Sequence, residues 1–400
     1  MAQLCVARQP IFDERLEVDA YELLFRRTAA ATDAAVLDAD GATASVLLSA
    51  FAELGIDTVA GQKTAYINVP WQLLVEDPPL PCPAERIVVE LLEGAPPTPE
   101  VVQALRRARA RGYRIALDDF VYDPSMAPLL EVADIVKVDV LEVDPEELRA
   151  HVSALRPYAV ELLAEKVETH EQFELCRELG FTRFQGFFLS RPRTLTGRTL
   201  PTGATGRLAL LAVLQDPDAD LDELATSIGR DVGLSYKLLR YVNSAFFSLP
   251  RKVSSVREAL VLLGTTSIRR WASLLVLADI DDRPHELLVT ALVRARTCEL
   301  LAEAAGQRGQ EDALYTTGLF SVVDALLDAE LDVVLDSLPL GEDVRDALLD
   351  HAGAKGKVLA AIKSYERGHL EEIDMALLEG IGPAYLDALE HADDVALAAA

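Results

Sequence analysis

Histidine and cysteine are scarce in this 400-residue chain, with six of the first and four of the second. Cys5, Cys82, Cys176 and Cys298 lie far apart and form no CxxC pair, which argues against a disulfide framework and a structural zinc site. No histidine precedes His151, so metal chemistry in the first third would have to rest on oxygen ligands. Basic residues are outnumbered, 38 against 65 acidic ones, for a formal charge of -27. That balance disfavours nonspecific binding to nucleic acid or an anionic membrane and fits solubility or a salty cytoplasm. The chain lacks the uncharged apolar run of roughly 18–20 residues that a spanning helix needs. The opening MAQLCVARQP has no basic stretch leading into a secretory apolar segment. A cytoplasmic, reduced protein without membrane insertion is expected.

What the chain does have is length and apolar content, 50% of residues, enough for a large core in two or three domains. From Leu4 to about Leu189, short strand candidates alternate with helix candidates. LCVA and VDAYELLF open the chain, with PIFDERLE as the turn between them. TAYINVP, RIVVELLE, GYRIALDDF, ADIVKVDV, YAVELLAEKVE and TRFQGFFLS follow. Helices are expected over Thr43–Gly55, Val101–Arg111, Pro145–Leu155 and His170–Leu179. Thr98, Asp144 and Thr169 stand as caps, and Gly112 and Gly180 as terminators. The repeat predicts an α/β domain, a TIM-like (β/α) barrel whose opening hairpin gives one antiparallel strand; an open doubly wound sheet is the alternative.

Ser190–Gly206, with Pro192, Gly197, Pro201, Gly203 and Gly206, reads as a linker. Beyond it the pattern is all-α. Helices are expected over Leu208–Leu214, Leu221–Ile228, Leu234–Ser244 and Val256–Leu263. Four more are expected over Ile268–Ala278, Leu287–Ala305, Leu314–Leu326 and Val344–Asp350. The expected domains are therefore residues 1–195 and 196–400.

Several strand candidates carry polar groups near their ends: Glu22, Asn68, Glu90, the Asp118–Asp119 pair, Lys137, Glu165, Glu168 and Gln185. An isolated buried carboxylate costs several kcal/mol, on the order of 2–7 even for a neutral polar group, so such a recurrence suggests convergence on one cation-binding mouth. Adjacent strand residues point to opposite faces, so Asp118 and Asp119 can share a site only if the chain turns there. Two close carboxylates need a proton or a cation between them. Oxygen ligands suit Mg2+ or Mn2+ better than zinc, and two such ions can activate water and stabilise charge on a phosphoryl group. Glu22, Asn68, Glu90, Asp118, Asp119 and Glu165 are the candidate metal ligands. Lys137, Glu165, Glu168 and Gln185 are the candidate catalytic groups, and Arg26, Asp139 and Gln185 the candidate ligand contacts. Each also has a plainer reading. Glu22 could pair with Arg26, Lys137 with Asp139, and the aspartate pair could cap a turn.

At these residues the chain resembles the two-domain bacterial proteins that join an EAL-type cyclic-di-GMP phosphodiesterase domain to an HDOD domain. VARQPIFDERLEVDAYELLFR is similar to their N-terminal signature, with Glu22 at the glutamate of the EAL motif and Leu23 in place of its alanine. The resemblance implies a cyclic-di-GMP site in which Asn68, Glu90, Asp118 and Asp119 match metal-ligand positions. Lys137, Glu165 and Gln185 match the lysine, further glutamate and glutamine around the water. Two departures stand out. DDFVYDPSMAPLL replaces a glycine-rich loop resembling DDFGTGYSSL, and Glu165-Lys166-Val167-Glu168 replaces EGVE. Such a loop ordinarily joins metal geometry to nucleotide closure or dimer contacts.

The second half resembles an HDOD domain through KLLRYVNSA, VSSVREA and the LLG turn, with Val232-Gly233 replacing the usual proline and alanine. His285, His351, His369 and His391 are not followed by aspartate and read as helix-end or surface residues. Asn243 and Ser244 read as backbone caps, and Arg269, Arg270 and Trp271 as either a small patch or core. The resemblance implies a cyclic-di-GMP-related signalling protein with a sensing barrel of weak or absent hydrolysis and a helical module that binds a signalling protein partner. An active phosphodiesterase yielding pGpG and a nucleotide-independent scaffold are the alternatives. A homodimer is compatible with either.

Overall fold

A computed structural model describes residues 4–27, 56–77, 83–141, 143–188, 204–243, 252–278, 280, 284–307 and 309–399. The chain divides into two units, one of residues 1–189 with Tyr365–Glu371, the other of residues 190–364 and 372–400. The division at 189/190 stands six residues before the expected 195/196 boundary, inside a stretch that lies outside the described residues. So do the expected helix Thr43–Gly55 and Ser244.

The first unit is a closed eight-stranded barrel in sequence order. Its strands are β1 (Leu4–Asp13), β2 (Val18–Arg27), β3 (Thr64–Val69), β4 (Ile87–Leu91), β5 (Arg114–Leu117), β6 (Ile135–Asp139), β7 (Glu161–Glu165) and β8 (Arg183–Gln185). Strand β1 pairs antiparallel with both β2 and β8, while every other pairing is parallel. The barrel with one antiparallel strand is thus as the sequence predicts, and the open sheet is set aside. The turn of the first hairpin is shorter than expected: β1 continues through PIFD. Asp13 Oδ1 then accepts the N–H groups of Arg15 and Glu17 at 2.8 and 2.9 Å. A side-chain acceptor bonded to backbone two residues on is enough to reverse the chain there.

The covering helices begin where the caps predict. Thr98 accepts from Val101 N–H ahead of Pro99–Ala110, Asp144 from Glu146 N–H ahead of Pro145–Leu155, and Thr169 with Gln172 forms a reciprocal capping box ahead of His170–Leu179. Strand residues alternate between the barrel interior and these helices. Ile11, Ala20, Tyr66, Val88, Ala116, Ile135 and Leu163 meet as one buried apolar layer across seven strands. That layer is the floor on which the polar residues of the next layer stand.

The second unit is helical throughout its described residues. Its main helices are Ala204–Gln215, Leu221–Arg230, Val232–Val242, Val256–Leu263, Thr265–Ala278, His285–Ala304, Glu311–Leu319, Glu342–Asp350, Gly353–Glu366 and Met375–Ala399. The segment expected as one helix over Leu314–Leu326 is broken by a 3-10 turn at Phe320–Val322. Gly318 sits before that break because a side chain there would lie 2.5 Å from the Ala295 backbone of the neighbouring helix. Asn243 ties the end of Val232–Val242 to Val253: its amide donates to Leu239 and Val253 carbonyls at 2.8 Å each and accepts from Val253 N–H at 2.7 Å. Arg269 and Arg270 form no open patch, since Arg269 donates to Ala219 O and Arg270 pairs with Glu299 and Asp312.

Gly186 follows β8 at φ +149°, and an added Cβ would fall 2.1 Å from Val167 O. Gly180, the left-handed C-cap of His170–Leu179 at φ +98°, has open space around it. Gly186→Ala is therefore expected to destabilise the barrel by about 3 kcal/mol or more and Gly180→Ala by about 1 kcal/mol. Urea unfolding of the two variants measures the difference, and equal losses would contradict the close approach.

Candidate active site at the barrel mouth

The polar layer stands two residues from the apolar one on the seven strands that share that layer, and β8 adds Gln185. Ala20 leads to Glu22, Tyr66 to Asn68, Val88 to Glu90, Ala116 to Asp118, Ile135 to Lys137 and Leu163 to Glu165. On the reversed strand β1 the step runs backwards, from Ile11 to Gln9. A strand period of two puts all of them on the inner face, and barrel closure brings them to one mouth. Lys137 is at its centre, fully buried. Its Nζ lies 2.6 Å from Asp118, 2.7 Å from Glu90, 2.9 Å from Glu165 and 3.2 Å from Glu22. Gln185 Nε2 donates to Glu22 at 2.7 Å and to Gln9 at 2.8 Å, and Asn68 Nδ2 donates to Glu22 at 3.2 Å.

An ammonium has three protons and cannot bond four carboxylates fully. The shortfall shows at Glu90, whose Oε1 has only the 2.7 Å ion pair with Lys137 and whose Oε2 is buried without a partner. Asn68 Oδ1, Glu165 Oε2 and Gln185 Oε1 are buried and partnerless as well. Burial pushes the Glu90 carboxyl well up, with the charge on Glu22 adding to it, and burial likewise raises Asp118. Glu165 is pushed up to about 8, again mainly by burial. Glu22 goes the other way. Burial alone would raise it, but the Lys137 charge and the bonds from Gln185, Lys137 and Asn68 hold it below the usual range. Burial works against the Lys137 charge too, and the four carboxylates outweigh it, keeping the group charged.

One ammonium among four carboxylates leaves an excess of negative charge when all ionise. Hard cations with several oxygen ligands answer that excess, and the orphaned oxygens of Asn68, Glu90, Glu165 and Gln185 are the donor set such an ion takes. With the carboxylates closed on Lys137, no group of three or more Asp, Glu, His or Cys among the described residues is arranged to hold a metal ion. Admitting one would require carboxylates to turn from Nζ.

The remaining candidates are placed differently. The chain does turn at Asp119, which takes φ +41°, but the aspartate pair divides: Asp118 joins Lys137 and Asp119 faces Lys166 at 3.5 Å. Asp139 pairs with Lys166 at 2.6 Å rather than with Lys137. Glu168 donates its backbone N–H to Gln172 at 2.8 Å, within the capping box of the following helix. The Arg26 side chain lies outside the described residues. Gln9 and Lys166 were not foreseen as site residues. Only the antiparallel register, Gln9 opposite Glu22, marks the first, and the only sign of the second was a lysine inside a glutamate pair after β7. The altered loop is stapled by Asp123, whose carboxylate accepts from Ser125 N–H at 2.7 Å and starts the 3-10 turn Pro124–Met126.

The EAL domain family matches residues 79–192, and the HDOD domain family matches residues 200–329. The chain is 34% identical over 377 residues to the cyclic di-GMP phosphodiesterase CdgJ of Vibrio cholerae, covering 94% of this chain and 87% of that protein. It is 33% identical over 398 residues to the uncharacterized protein YuxH of Bacillus subtilis, covering 96% and 97%. The chain belongs to the family of bacterial proteins that join an EAL domain to an HDOD domain. Among solved structures, the EAL domain protein of Listeria monocytogenes matches at 25% identity with a TM-score of 0.37, over 47% of this chain and 87% of that one. BlrP1 of Klebsiella pneumoniae, solved with manganese and cyclic di-GMP, matches at 20% identity with a TM-score of 0.37, over 47% and 58%.

Lys137→Met would leave four carboxylates facing one another. In EDTA this variant is expected to lose about 3 kcal/mol or more of barrel stability. Millimolar Mg2+ should restore part of that loss. Thermal melts with and without Mg2+ provide the check, and an unchanged melt in EDTA would mean the ammonium does not hold the cluster.

Proposed function

We propose that the barrel mouth binds cyclic di-GMP with the help of divalent cations, Mg2+ or Mn2+, with weak or absent hydrolysis, as the sensing half of a signalling protein. The observation that carries this reading is the cluster of buried, partnerless oxygens on Asn68, Glu90, Glu165 and Gln185 around an overcommitted Lys137. Glu22, Asn68, Glu90, Asp118, Asp119 and Glu165 are the residues that would hold the ions. Bound there, the ions would neutralise phosphodiester charge and lower the pKa of a coordinated water. Lys137 would keep the carboxylates gathered, and Gln185, fixed by Glu22 and Gln9, would present its free carbonyl oxygen toward water or ligand. Asp139 would be a ligand contact at the rim and Glu168 a support of the β7 end, while the proposed contact from Arg26 lies outside the described side chains. The weak or absent turnover is inferred from the DDFVYDPSM segment, which carries a local Asp123–Ser125 staple where a glycine-rich loop able to close over a ligand would stand.

A competent phosphodiesterase is the second reading, favoured by the likeness to CdgJ over most of both chains. For the helical unit, we assign binding of a protein partner. Val232 and Tyr236, one turn apart, with Val261 and Leu262 are large apolar residues left exposed, Val232 at 80%. Among the described residues no helix is long and apolar enough to cross a membrane, and a cytoplasmic setting is part of this proposal. Self-association into a dimer is left to the same experiment.

Calorimetric titration with cyclic di-GMP in Mg2+, followed by product analysis for pGpG in Mg2+ and Mn2+, tests the assignment. The expected result is metal-dependent binding, lost at least about tenfold in Glu22→Ala and Asp118→Ala, with turnover well below the enzyme median of roughly 10 per second. Light scattering on the same samples reports the oligomeric state. No binding in any metal would remove the nucleotide assignment, whereas fast turnover abolished by both substitutions would select the second reading.

A further inference from the structure

The mouth carries its charges in two tiers. The inner tier is Lys137 with Glu22, Glu90, Asp118 and Glu165. The outer tier is Lys166 with Asp139 at 2.6 Å and Asp119 at 3.5 Å. Lys166 directly follows β7 at φ +54°, and Asp119 lies just beyond β5 at φ +41°. Left-handed backbone is uncommon at a residue with a side chain, most of all a long one, and both residues of this ion pair adopt it at the ends of two strands. Such strain persists only where the surroundings fix it, and it gathers at functional sites.

The two tiers differ in how well their oxygens are served. The buried, partnerless oxygens of the mouth, on Asn68, Glu90, Glu165 and Gln185, all belong to the inner layer. Asp139, in contrast, has both oxygens committed: Oδ1 accepts from Leu141 N–H at 2.8 Å and Oδ2 from Lys166. The inner tier sets one ammonium against four carboxylates, whereas the outer tier sets one against two. We propose that Lys166 fills the outer cation position of the mouth, so that the chain binds one divalent ion tightly, at the inner carboxylates, and a second only weakly. A fixed positive charge a few ångströms from a second dication should weaken that ion at least about tenfold. The inference rests on the proposed metal-dependent mouth and concerns how many ions it takes. It supplies a further reason for weak or absent hydrolysis, since two-ion chemistry needs both positions filled.

The test is a Mn2+ titration of the metal-stripped full chain, with free Mn2+ read from its aqueous EPR signal. Lys166→Gly removes the charge and suits the left-handed backbone. Lys166→Gln removes the charge and keeps the side-chain length, and Lys166→Arg keeps the charge. One tight Mn2+ is expected for the native chain and for Lys166→Arg. Two are expected for Lys166→Gly and Lys166→Gln, the second gaining at least about tenfold in affinity. Two equally tight ions in the native chain, or one in all four proteins, would overturn the inference and leave the metal-dependent mouth standing. No bound Mn2+ in any of the four would overturn both.

Discussion

A single ammonium buried among carboxylates sets the terms for the rest of the barrel. Lys137 has no exposed surface, and burying it unpaired would be prohibitive, so its strand must bring it to anions. The anions come from β2, β4, β7 and the end of β5, which means the cluster forms only when the barrel is closed. Closure in turn depends on the apolar layer beneath, where Tyr66, Ile135, Leu163 and their neighbours fill the interior in register. Hydrophobic packing therefore supplies the stability, and the ionic layer above it uses that stability to hold groups that would not otherwise stay together. This division is what lets a strand mouth carry chemistry without the floor having to change.

The relation between the two layers also explains which parts of the site could be read from sequence. Each inner-tier residue follows an apolar residue by two positions, so a strand pattern ending in an acid, amide or lysine marks it directly. Glu90 in RIVVELLE and Lys137 in ADIVKVDV are examples. What the pattern could not give was pairing. Lys137 and Asp139 share strand parity and suggest an ion pair, but Asp139 is at the last position of β6, opposite Glu165 in the register, where Lys166 reaches it first. Asp118 and Asp119 look like one unit in sequence, yet a single left-handed residue sends them to different cations. Partner choice across strands depends on register and backbone turns, which no local pattern encodes.

The helical half was legible for a different reason and failed at different places. Capped, amphipathic helices such as Leu221–Arg230, with Asp220 accepting from Asp222 and Glu223 N–H, declare their ends locally. The helices Gly353–Glu366 and Met375–Ala399 were missed. The first follows His351, itself in left-handed backbone, and the second contains Pro383, which reads as a breaker in isolation. Arg270 illustrates the same limit in side chains. Beside Arg269 and Trp271 it reads as a basic patch, but Glu299, twenty-nine positions on, draws it inward together with Arg296. Burial alone would raise the Glu299 carboxyl, and the two guanidiniums hold it below its usual range, as expected of a structural network.

The contrast between the two halves bears on what kind of protein this architecture makes. In the helical unit the buried charges around Glu299 are matched by partners and have no evident call on a ligand. In the barrel they are not matched, because three ammonium protons face four carboxylates and several oxygens are left with nothing. A fold that needed this cluster only for stability would gain more from a well-packed apolar replacement of the whole buried ionic group than from an ammonium shared among four carboxylates. Keeping Glu90 buried and underserved makes physical sense where positive charge arrives from outside. One ammonium against four carboxylates at Lys137, and one against two at Lys166, then describe a mouth whose charge is better matched at the rim than at depth.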